Sequence, residues 1–152
     1  MRFRSSTLAL LALALTVTAA ACSAPVAPAP TATPTVAPTA APVLATSPSQ
    51  FIGTWRGIKK DGMYERFTAD GILQTAAKLE GLDKPLAEHK YTFDGTRLTI
   101  VELTAPGLPS CGSKEGVYEI EFLANGGINF RRILDACTAR GRTMTQEHEP
   151  IR

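Results

Sequence analysis

Residues 50–152 predict an all-β domain, an eight-stranded antiparallel up-and-down barrel, and three observations carry that prediction. Short segments rich in β-branched and aromatic residues alternate apolar with polar positions from Phe51 to the C-terminus. The breaks between them have hairpin chemistry: Asp61-Gly62, Asp70-Gly71, Asp94-Gly95 and Asn125-Gly126-Gly127. No stretch keeps a helical period over a useful length. Closing such a meander removes two open sheet edges that would otherwise invite pairing with other chains. A β-sandwich is the competing arrangement.

Two segments of different character precede the domain. Met1-Arg-Phe-Arg is a positive start, and Leu8 to Val17 is an apolar run too short to span a bilayer comfortably. It ends in Ala19-Ala20-Ala21-Cys22, which resembles the lipobox of bacterial lipoproteins, with Ala19 where that family has leucine. The resemblance implies a signal peptide over 1–21, cut before Cys22, and lipid on that cysteine. An ordinary secretory signal cleaved after Ala21 is the alternative. Ser23 rather than Asp in the next position resembles an outer-membrane sorting signal in a host with two membranes. In a host with one membrane the domain faces outward from it.

Residues 22–49 read as a disordered linker. Seven of the eleven prolines lie between Ser23 and Ser49, among Ala and Thr and with no charged residue. Proline biases such a chain toward polyproline II, giving it a reach on the order of 80 Å. That suits a tether between a lipid anchor and a folded module.

The strands are expected at 51–60, 63–68, 72–77, 90–93, 96–102, 116–122, 128–133 and 142–147. The segments 78–89, 103–115 and 134–141 are expected as loops. Period-two alternation places Tyr91 with Phe93, Leu98 with Ile100, Tyr118 with Ile120 and Phe122, and Ile128 with Phe130 on an inner face. Glu119 and Glu121 fall on the outer one. The only tryptophan, Trp55, shares its side of the first strand with Gly53 and Gly57, which leaves room for a large ring.

Charge excludes one class of function. Setting aside Arg2 and Arg4, fourteen basic residues face fourteen acidic ones in 50–152, so the domain is neutral and lacks a footprint for nucleic acid. Of three cysteines, Cys22 is assigned to lipid, leaving Cys111 and Cys137 as an even pair in an oxidising compartment. A disulfide between them is expected; free thiols or a metal pair are the alternatives.

Gly53-Thr54-Trp55 on a first strand, followed by short alternating strands, resembles the opening of lipocalin-like (calycin-type) barrels. The resemblance implies that Trp55 plugs one end of the barrel and that Arg140 or Arg142 packs over it. The Thr-Asp-Tyr motif of that family and its C-terminal helix are missing, so the implied domain is a minimal one.

No catalytic constellation assembles from the sequence. His-Glu-x-x-His, Gly-x-Ser-x-Gly and phosphate-loop patterns are lacking, and His89 and His148 read as surface residues. The expectation is a monomeric, membrane-anchored, extracytoplasmic binding protein without metal or cofactor. Tyr91, Phe93, Tyr118, Phe122 and Phe130 would line a cavity for a small apolar or amphipathic ligand, with Glu65 or Arg132 at its polar head. The alternative is a packed barrel that contacts an envelope protein through exposed loops, in the manner of lysozyme- or protease-inhibitor modules. An apolar cavity of a few hundred Å³ discriminates the first from the second.

Overall fold

The computed structural model describes residues 41–59 and 62–152. The signal segment, Cys22, the first part of the linker and Asp61 of the first turn lie outside them. The described chain carries β1 (Val43–Leu44), β2 (Gly53–Gly57), β3 (Tyr64–Phe67), β4 (Ile72–Ala76), β5 (Ala87–Phe93) and β6 (Leu98–Thr104). It continues with β7 (Gly116–Phe122), β8 (Ile128–Asp135), the helix α1 (Thr138–Met144) and β9 (Glu147–Pro150).

Each strand from β2 to β9 pairs antiparallel with its sequence neighbour, and β9 pairs back onto β2 through Trp55 opposite Pro150 and Gly57 opposite His148. The result is a closed eight-stranded antiparallel barrel. Hairpin glycines turn the chain where expected: Gly71, Gly95 and Gly126 all adopt positive φ, which a β-carbon would strain.

Strand ends shift by one to three residues in several places, and two differences matter for the site. β5 begins at Ala87 rather than Lys90, and the last strand is 147–150 rather than 142–147. The segment expected as loop and then strand contains α1, whose seven residues are too few for a helical period to stand out in the sequence. A 3-10 turn over Leu79–Asp83 also punctuates the loop before β5.

Residues 43–49, read as part of the linker, carry structure together with Gln50. β1 pairs with the end of β7, Val43 opposite Phe122 and Leu44 opposite Glu121. It occupies the edge that β6 leaves free, because β6 meets β7 only at Gly116–Tyr118. A 3-10 turn at Pro48–Gln50 follows, with the Gln50 carboxamide accepting the Thr46 and Ser47 amides at 2.7 and 2.9 Å. This turn delivers Phe51 into the barrel.

Phe51 is fully buried at one end, edge-on to Phe67, Tyr91 and Phe93 at centroid distances of 5.2–5.9 Å. Phe67 stacks on Phe130, which meets Tyr118 edge-on. The inward aromatics therefore pack against one another and fill that half of the barrel. Phe93 and Phe122 sit at the margin of this core, partly buried. Glu119 points outward and pairs with Arg131 across the β7–β8 ladder.

Trp55 belongs to the same core, and its indole Nε1 donates to the Phe51 carbonyl at 2.8 Å. The closed end is thus made by Phe51 together with Trp55. Neither flanking glycine makes room for the ring in the way expected. Gly53 adopts φ +139°, and the space over Gly57 is taken by the Gln146 carboxamide.

Candidate functional site

The inward positions change chemistry half-way along each strand. On β5, Phe93 and Tyr91 join the aromatic core, and His89 and Ala87 continue the same face into a cavity at the other end. On β3, Phe67 gives way to Glu65; on β6, Leu98 and Ile100 give way to Glu102. The cavity measures about 430 Å³, and Met63, Leu73, Ala87, Leu108 and Met144 supply its apolar wall. α1 and the loop between β6 and β7 form its mouth.

Those two mouth elements are joined by the Cys111–Cys137 disulfide, with Cα atoms 5.3 Å apart. The bridge expected from the cysteine count is present. It joins the two late segments expected as loops, tying the start of α1 to the loop that carries Leu108 and Pro109.

Arg140 enters the cavity from α1 through a buried ion pair. Its Nε and Nη2 donate to the two Asp135 carboxylate oxygens at 2.8 and 2.9 Å, and Nη2 also reaches the Lys114 carbonyl. The Tyr118 hydroxyl donates to the same carboxylate. Gly116 makes this possible, because a β-carbon there would lie 2.7 Å from Asp135 Oδ2 and 2.8 Å from Arg140 Nε. Burial works against the Asp135 charge, but hydrogen bonds from Arg140, Tyr118 and the Cys137 amide outweigh it and hold the carboxyl below its usual range. Burial, reinforced by Asp135, pushes the Tyr118 phenol far above its ordinary value.

This pair corrects the expected plug. Arg140 is bound to Asp135 rather than laid over Trp55, and Arg142 is an exposed residue of α1 at the cavity mouth. The Arg132 expectation also changes. A bulge in β8 skips Ile133, so Tyr118 faces Arg132 and Val117 faces Leu134. The phase of β8 changes beyond Arg132. Arg132 is exposed beside Gly141 of α1, and Asp135 takes the inward place.

Both histidines, expected on the surface, are buried. His89 turns inward because β5 starts three residues earlier, in phase with Tyr91 and Phe93. His148 turns inward because β9 closes the barrel, and its ring meets Phe130 edge-on at 5.1 Å. Extending the 91/93 alternation backwards through His89 and Ala87 was the available signal for the first. Nothing local in Glu147–Pro150 signals the second.

Several buried polar atoms around the cavity have no hydrogen-bond partner: both Glu65 carboxylate oxygens, His89 Nδ1 and Arg140 Nη1. His148 Nε2 comes within 3.1 Å of Glu65 Oε2, an ion-pair distance, but outside hydrogen-bond geometry. Glu102 is already engaged, accepting the Ser110 hydroxyl and the Cys111 amide at 2.5 Å each. Burial lowers the His89 pKa and the nearby Arg140 charge adds to it, against the opposing pull of Glu102 and Glu65. The ring is neutral at neutral pH. Its buried Nδ1 has no partner and can offer a lone pair to a ligand.

Of the residues expected to meet a ligand, Glu65 lines the cavity, whereas Tyr91, Phe93, Tyr118, Phe122 and Phe130 do not. Their place is the packed half. His89 and Glu102 were missed as wall residues. Among the described residues no group of three or more side chains is placed to hold a metal ion. Compared with protein-family models, with curated proteins and with solved structures, the chain gives no match.

Proposed function

We propose that this chain is a lipid-anchored, extracytoplasmic binding protein whose barrel holds one small amphipathic molecule in the cavity beneath α1. One observation carries the reading: a cavity of about 430 Å³, walled by apolar side chains, into which buried polar atoms without partners project. Ligand sites are characteristically apolar pockets of about 300–1,000 Å³ with a few convergent polar groups. A buried polar group left unbonded costs about 1–3 kcal/mol, so a molecule that satisfies these atoms gains that much on entering. A barrel filled to both ends would instead favour contact with an envelope protein through its loops.

The anchor rests on the leader alone. Lipid on Cys22, followed by the proline-rich linker, would hold the domain within its tether's reach of a membrane surface. The test of binding is displacement of a fluorescent apolar probe by small amphiphiles, repeated on Ala87→Trp. Ala87 is buried and faces the cavity, so the added ring occupies it. Saturable binding by the natural chain and its loss in Ala87→Trp are expected. Equal binding by both would place the ligand elsewhere.

A further inference from the structure

The unsatisfied atoms of the cavity differ in kind. Glu65 is fully buried with neither carboxyl oxygen in hydrogen-bond geometry, and its Oε2 lies 3.1 Å from His148 Nε2. His89 Nδ1 offers a lone pair, and Glu102 adds a second carboxylate to the same wall. Against these stand Arg140, whose charge Asp135 already balances through two hydrogen bonds, and His148, which lies at ion-pair distance from Glu65 but is not part of the cavity lining. Lys59 and Arg142 line only the mouth and are exposed to water. The interior is therefore rich in acceptors and short of positive charge.

Resting on the binding-site reading above, we infer that the occupant is a small organic amine, its ammonium donating to Glu65 and His89 and its apolar body lying against Met63, Leu73 and Met144. An ammonium has three N–H donors and no acceptor, the complement of a carboxylate beside an imidazole lone pair. It also gives Glu65 a cationic partner besides His148, and a buried carboxylate is costly unless paired. The one remaining donor, Arg140 Nη1, suits a hydroxyl or carbonyl oxygen on the same molecule. A carboxylate ligand would gain that single donor and face Glu65 and Glu102. A neutral apolar ligand would fill the volume and leave Glu65 with His148 alone.

Three probes of one length separate these cases: hexylamine, hexanol and hexanoate, titrated by calorimetry into the protein as its host produces it, in lipid nanodiscs with empty discs as blank. Hexylamine should bind at least about tenfold more tightly than hexanoate, as expected for charge-assisted hydrogen bonds. In Glu65→Gln, which keeps the shape and removes the charge, hexylamine should fall to the affinity of hexanol. Hexanoate binding as well as hexylamine overturns the inference, as does undiminished hexylamine binding by folded Glu65→Gln. Should that variant unfold, the wild-type order of amine and carboxylate decides alone. Binding of hexanol or hexanoate without an amine preference sinks the amine and leaves the cavity a binding site. Binding of none of the three sinks both readings.

Discussion

Phe51→Ala is the perturbation that most directly probes how this barrel closes. Phe51 is fully buried and meets Phe67, Tyr91 and Phe93 edge-on. Removing a buried phenyl ring costs about 3–5 kcal/mol in lost transfer and residual cavity. Three aromatic pairs, each contributing about 0.5–1.5 kcal/mol beyond area, place the expectation in the upper part of that range. A domain of this size has about 5–15 kcal/mol to lose, so the melting temperature should fall by about 12 °C or more. Urea unfolding with the disulfide intact, followed by Trp55 fluorescence, measures the loss. The same probe reports on the closed end, because the indole is bonded to the Phe51 carbonyl. Val43→Ala, at an exposed position in β1, should stay within about 0.5 kcal/mol of wild type. A loss below about 1 kcal/mol in Phe51→Ala would refute the reasoning, since it would mean residues 43–51 do not dock into the barrel.

Replacing Cys111 and Cys137 by serine should cost about 3–4 kcal/mol for a separation of 26 residues. Amide exchange should rise more over α1 than over β2–β4; uniform change would deny the bridge its hold on the mouth. His89 has a folded pKa below its unfolded value, so its ring must take up a proton on unfolding in mild acid. Stability should then decline as pH falls from about 6.5, and His89→Gln should flatten that decline in urea midpoints; an unchanged slope speaks against a buried neutral ring. The stability held by Asp135, whose folded pKa is depressed, should persist lower, being lost only as pH drops below about 4. Gly116→Ala should force the Asp135–Arg140 pair apart and destabilise by about 1–3 kcal/mol, read by thermal melting, with no effect meaning that the pair can shift freely. Cys22→Ala should yield soluble protein or uncut precursor on fractionation, and processed protein still in the membrane would refute lipidation there.

The barrel was legible in the sequence because local rules determine it. Alternation assigns Tyr91, Ile100, Tyr118 and Phe130 to one face, and the glycine turns require neighbouring strands to run antiparallel. The cysteine count likewise reached the Cys111–Cys137 pair without coordinates. Everything that makes a site depended on contacts between residues distant in sequence. A single bulged residue, Ile133, reverses the side-chain phase of β8 beyond it and turns Asp135 inward. Arg140 was expected beside Trp55, but a buried guanidinium goes where a carboxylate can match it, and only the β8 bulge and the bare face of Gly116 create that place. His148 looks like a residue of a frayed end until β9 pairs with both β2 and β8. The aromatics were correctly assigned to the interior, but whether interior side chains fill a barrel or line a cavity depends on how their volumes sum in three dimensions. Here Phe51, delivered from the linker's end, completes the filling of one half. The other half is left to Glu65, His89 and Arg140, in a space whose existence no linear pattern encodes.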